Sequence, residues 1–113
     1  MKTILLAEDN TIVRMTLVEV LGQFGFNVIE AEDGSRALEL FNEHPEIVII
    51  IADIQMPGMD GDRLIVEIKK QRPNLPCILM SGSEAPADHK ADKFLLKPPH
   101  IDELRQTIEE LIL

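Results

Sequence analysis

Short apolar runs alternate with amphipathic stretches along almost the whole chain. Thr3–Ala7 is brief and mostly apolar, as a buried strand is. From Asn10 to Phe24, the residues Val13, Leu17, Val20, Leu21 and Phe24 fall on one helical stripe, and Gly25 ends the helix they predict. Phe26–Glu30 reads as a second, more exposed strand. Ser35 is expected to cap a helix that carries Ala37, Leu40 and Phe41 inward and stops at His44-Pro45. Ile47-Val48-Ile49-Ile50-Ile51 is continuous and β-branched, the pattern of a central parallel strand buried on both faces. Pro57-Gly58-Met59-Asp60-Gly61 is a loop, and Leu64, Ile65 and Ile68 mark a helix ending near Arg72-Pro73. Cys77–Met80 and Lys93–Leu96 are further strands. Pro98-Pro99 opens a last helix with Ile101, Leu104, Ile108 and Leu111 on its inner side.

Strand and helix alternating in this way predict an α/β fold: a parallel sheet with helices on both faces, doubly wound by right-handed crossovers. The 113 residues suit one domain, 1–113, with no internal repeat or linker. Ligands of such sheets gather beyond the carboxyl ends of the strands. There the sequence puts Glu8-Asp9 after the first strand, Asp53 at the end of the third, Ser81 at the end of the fourth and Lys97 after the fifth.

Each of these residues has an ordinary explanation. Asp9 and Asn10 suit a helix cap, Asp53 a strand end, Ser81-Gly82-Ser83 a turn, and Lys97 a surface charge before a proline. Their joint arrangement along one edge is what those explanations fail to cover. Clustered carboxylates repel, and one takes up a proton unless a cation joins them. A hard divalent ion is the natural partner, and Mg²⁺ commonly binds through one or two carboxylates plus phosphate oxygens. Lys97 is well placed for a phosphoryl oxygen.

Composition narrows the function further. Hydrophobic residues make up 45% of the chain, which points to a globular class. A net charge of −9 argues against direct binding of nucleic acid or anionic membrane. The sole cysteine, Cys77, leaves no internal disulfide, suits a cytoplasmic location and reads as a small core residue. No apolar run is long enough to span a bilayer, and the apolar start is too short for a signal peptide before Glu8-Asp9. Trp and Tyr are absent and only four Phe occur, so an aromatic platform for flavin or single-stranded nucleic acid is not expected.

The chain resembles bacterial two-component response-regulator receiver domains over essentially its whole length. The resemblance is carried by Leu6-Ala7-Glu8-Asp9-Asn10, by Asp53-Ile54-Gln55-Met56-Pro57-Gly58-Met59-Asp60-Gly61, by Met80-Ser81-Gly82 and by Phe94-Leu95-Leu96-Lys97-Pro98. The Asp53–Gly61 block is highly specific. The others are individually weak but stand in the family's order. The resemblance implies a five-stranded sheet in the flavodoxin-like order 2-1-3-4-5. It implies Asp53 as phospho-acceptor, with Glu8, Asp9, Asp53 and the Gln55 backbone carbonyl holding Mg²⁺, or Mn²⁺ in its place. Ser81 and Lys97 would bind phosphoryl oxygens, Phe94 would report the state of Ser81, and the Lys97-Pro98 bond would be cis. The donor would be a sensor histidine kinase or a histidine phosphotransfer protein. The 4-aspartylphosphate would switch a surface for an unknown output partner and hydrolyse slowly, which makes the chain a signalling domain rather than a turnover enzyme.

Two features depart from the family. Gly82–Asp92 is short, contains Pro86 and lacks an apolar helical stripe, so the helix between the fourth and fifth strands is expected to be shortened or missing. That helix usually helps form the output and dimerisation face. Output through the last helix, or phosphate buffering, is then expected instead. His100 stands where the family often has Asp or Ser, and it reads as a weak cap.

Three rival functions fit the sequence less well. An aspartyl-nucleophile phosphatase of the haloacid dehalogenase type needs a second Asp two residues after the nucleophile, and Gln55 at that place cannot transfer a proton. A receiver-like interaction module working without phosphate would have no use for the full pocket. A flavodoxin-like electron carrier would need the aromatic clamp that is missing.

Overall fold

In the computed structural model, which describes residues 1–112, the parallel sheet forms because the apolar runs alternate side chains to two faces and both faces find cover. The elements are β1 (Thr3–Ala7), α1 (Thr11–Gln23), β2 (Asn27–Ala31), α2 (Gly34–Glu43), β3 (Ile47–Asp53), α3 (Gly61–Gln71), β4 (Cys77–Ser81), β5 (Lys93–Leu96) and α4 (Ile101–Ile112). The sheet order is β2-β1-β3-β4-β5, every pair parallel, as the resemblance implies.

Two cores result. Leu5, Ala7, Ile50, Ala52 and Leu79 face α2 and α3, where Leu40, Phe41, Leu64, Ile65 and Ile68 meet them. Ile4, Leu6, Ile49, Ile51, Ile78 and Met80 face α1 and α4, where Leu17, Leu21, Leu104 and Ile108 close over them. Each fully buried aliphatic side chain contributes roughly 1.5–3 kcal/mol. The strands are therefore held from both sides, and their carboxyl ends are fixed relative to one another. Cys77 is a buried core thiol, as expected, and burial pushes its pKa up to about 12.

No helix forms between β4 and β5 among the described residues. The connection is irregular, with a turn closed by His89 N donating to Pro86 O. Asp92 ties its end down: its carboxylate accepts from Cys77 N at 2.8 Å and from Lys69 Nζ at 2.8 Å. No helix in the described residues is long and apolar enough to cross a membrane.

Two local expectations need correction. The cap of α2 is Asp33, whose side chain accepts from Arg36 N, and Ser35 lies inside the first turn. Ile101 is not on the inner side but 57% exposed, because it is the first residue of α4 and that face begins only at Leu104. The α1 stripe does face the core: Leu17 and Leu21 are buried, and Val13, Val20 and Phe24 are partly buried and packed against them. The Arg105 guanidinium covers the Phe24 ring at 5.2 Å.

Candidate functional site

The parallel ladder carries on past the strand ends and so aligns the polar residues that follow them. Glu8 N donates to Ala31 O, Ile54 N to Met80 O, and Lys97 N to Ser81 O at 2.8 Å. Asp53 pairs with Met80 across β3 and β4, and Ser81 with Leu96 across β4 and β5. Four chain segments remote in sequence thus deliver Glu8, Asp53, Ser81 and Lys97 to one edge.

Lys97 Nζ donates to Glu8 Oε1 at 2.6 Å and to Asp53 Oδ2 at 3.0 Å. Glu8 is fully buried and Asp53 nearly so. The other oxygens are held by backbone: Asn10 N donates to Glu8 Oε2 at 3.0 Å, and Gln55 N to Asp53 Oδ1 at 3.3 Å. Asn10 caps α1 by accepting from Val13 N, which leaves Asp9 exposed and free of that duty. Oxygens of Glu8, Asp9 and Asp53 all lie within 4.8 Å of one another.

The electrostatics are those of crowded acids with too little counter-charge. Burial pushes the Glu8 carboxyl above its ordinary range, the Asp53 charge adds to this, and Lys97 and Asn10 N offset only part. Burial pulls Lys97 down, but its hydrogen bonds to Glu8 and Asp53 outweigh that and hold the ammonium above its usual value. One ammonium therefore serves two buried carboxylates, with a third beside them. This all-oxygen, net-negative cluster is the donor set of a hard divalent cation, and its residues fit one.

Ser81 is buried at the end of β4. Its Oγ accepts from Ser83 N at 3.2 Å and lies 3.3 Å from Ser83 Oγ. Phe94 is half-buried on the face where the helix is missing, with the His89 ring beside it at a centroid distance of 6.2 Å. The Lys97-Pro98 peptide is cis. Gln55 itself is exposed, beside Asp53.

Three contributors escape a reading of sequence alone. Gly61 opens α3 against the Asp53 backbone, and Gly34 opens α2 against Met59, whose Cβ would stand 2.9 Å from an added methyl. Arg14 Nη1 donates to the Glu8 carbonyl at 2.8 Å. Asp60-Gly61 and Asp33-Gly34 repeat a cap-then-glycine pair, which is the one signal the sequence held for the glycines.

A family model described as the response regulator receiver domain matches residues 4–109. The chain is 38% identical over 118 residues to the sensor kinase CckA of Brucella abortus, a match spanning 97% of this chain and 12% of the kinase. It is 34% identical over 122 residues to the response regulator receiver protein CpdR of the same organism, spanning 100% of this chain and 98% of that protein. It thus covers a small part of one relative and nearly all of the other. Among solved structures, the response regulator TrrA of Thermotoga maritima, crystallised in complex with Mg²⁺ and BeF, aligns with a TM-score of 0.91 at 30% identity, covering 98% of this chain and 99% of that one.

Proposed function

The chain belongs to the response regulator receiver domain family, and from that premise we propose that Asp53 is the phospho-acceptor of a two-component phosphorelay. The observation that carries this reading is the pair of hydrogen bonds by which Lys97 joins Asp53 to Glu8 inside an acid cluster at the sheet edge.

Glu8, Asp9, the Asp53 carboxylate and the Gln55 backbone carbonyl would hold Mg²⁺, with Mn²⁺ as a substitute. The ion supplies charge neutralisation for the transferring phosphoryl group. The chain's own residues do the rest. An oxygen of Asp53 attacks the phosphorus of a phosphohistidine on a sensor histidine kinase or histidine phosphotransfer protein. The P–N bond breaks as the O–P bond forms, and the imidazole departs with a proton from solvent. The transition state is loose, so positioning and charge dominate over covalent chemistry. Gln55 N holds Asp53 Oδ1 and so fixes the carboxylate plane. Lys97 moves its hydrogen bond from Asp53 Oδ2 to a phosphoryl oxygen, where negative charge develops. Ser81 binds a second phosphoryl oxygen on giving up its contacts with Ser83, and Phe94 follows into the space released. Gln55 cannot act as a general acid or base for hydrolysis, so the acyl phosphate persists.

A protein donor is supported by the surface beside the site. An apolar groove of about 390 Å³ lies between α1 and α4, lined by Ile12, Leu17, Lys97, Pro98, Ile101 and Leu104. Ile12 is 77% and Ile101 57% exposed, more apolar surface than a solvated rim needs. The missing helix supports output through another face, and the location we assign is cytoplasmic.

Transfer from a radiolabelled phosphohistidine donor tests the reading. The label should leave the donor and appear on this chain as a base-labile acyl phosphate when Mg²⁺ is present. Continuous release of inorganic phosphate with no labelled chain would instead favour a phosphatase.

A further inference from the structure

We infer that Arg14 is a positioning residue for the cation cluster: its guanidinium clamps the Glu8–Asp9 turn by holding the Glu8 carbonyl from one side and Glu30 from the other. This rests on the reading that Glu8, Asp9 and Asp53 take a divalent cation.

The turn that carries two of the three clustered acids is short and lies past the end of β1. Its first carbonyl, that of Glu8, accepts from Arg14 Nη1 at 2.8 Å. The direction of that carbonyl sets the rotation of the peptide between Glu8 and Asp9, and hence where both side chains leave the backbone. Glu8 has other restraints, since Asn10 N and Lys97 hold its carboxylate. Asp9 has none: among the described residues no hydrogen bond holds its side chain, and it is exposed. The reach of Asp9 toward Glu8 and Asp53 therefore depends on the backbone of the turn.

Arg14 is anchored in its turn. It projects from α1, its side chain is only 15% exposed, and its Nε donates to Glu30 Oε1 at 3.3 Å on β2. A partly exposed ion pair of this kind contributes little stability by itself. Its effect is geometric, because it uses one arm of a planar fork and leaves another aimed at the Glu8 carbonyl. Three elements, β1, β2 and α1, are pinned together at the point where the acid turn begins. A lysine keeps the charge but cannot serve two acceptors with a rigid fork. Groups that orient metal ligands in this way typically change affinity 10–100-fold when removed.

Titration with Mn²⁺ alone, followed by paramagnetic broadening of the Glu8, Asp9 and Asp53 amide signals, tests the clamp. The thermal midpoint of each variant is measured alongside. Arg14→Ala and Arg14→Lys should each raise the Mn²⁺ dissociation constant about tenfold or more. Glu30→Gln should raise it by less. Wild-type affinity in Arg14→Ala would overturn the inference. Full rescue in Arg14→Lys would also overturn it, since charge rather than the fork would then be sufficient. Absence of broadening in the wild type would instead remove the cation reading on which the inference rests.

Discussion

Gly61 lies directly against Asp53: a methyl group on Gly61 would stand 2.8 Å from the Asp53 carbonyl carbon and closer still to its oxygen. Gly61 N also donates to Ile54 O at 3.0 Å, and Asp60 caps the helix through Arg63 N. Helix α3 thus starts hard against the strand end that carries the acceptor. Space, not backbone conformation, demands the glycine, since its φ is not positive.

Gly61→Ala should therefore cost on the order of 2–3 kcal/mol, because backbone must move to admit the methyl. Gly22→Ala is the control. It lies in α1 with nothing within 4 Å of the added Cβ, so it should gain about 0.5–1 kcal/mol. Urea unfolding of both variants checks this, and equal effects would contradict the packing account.

Much of this was legible in the chain. The apolar run from Ile47 announced β3, and the acids after β1 and β3 could be placed at one edge by topology alone. The missing helix was legible from Pro86 and from the want of an apolar stripe before Asp92. What stayed hidden depends on tertiary contact. Asp33 and Ser35 are both good caps, and only the first turn's geometry chooses Asp33. Ile101 continues a stripe but stands exposed at the first position of α4. Arg14 looks like any charged residue of an amphipathic helix until the Glu8 carbonyl is placed beside it.

Asp92 does part of the missing helix's work by joining β4, α3 and the start of β5. Asp92→Ala leaves the Cys77 N–H without its acceptor, and the loss of stability should be about 1–3 kcal/mol. Asp92→Asn keeps an acceptor oxygen and should recover part of that. Chemical denaturation of the pair measures the difference, and an Ala variant as stable as the wild type would contradict the role.

Stability should also depend on pH through Glu8. Burial holds its carboxyl above the ordinary value of 4.5, so the folded state binds that proton more tightly than the unfolded chain does. The contribution is fully present below 4.5 and is lost as pH rises through the higher folded value. In metal-free protein, Glu8→Gln removes the effect, so its stability relative to wild type should improve as pH rises from about 4 to about 7. Mg²⁺ should narrow the gap at the upper end by stabilising the wild type more than a variant that has lost one carboxylate ligand. Urea midpoints across that range check the slope, and a difference independent of pH would contradict it.

The most direct measurement is the intact mass of the chain after incubation with acetyl phosphate. With Mg²⁺ the wild type should gain one phosphoryl group, and the gain should vanish in EDTA and in Asp53→Asn. An Asp53→Asn chain that still gains a labile acyl phosphate, or a wild type that gains none with Mg²⁺ present, would contradict the account.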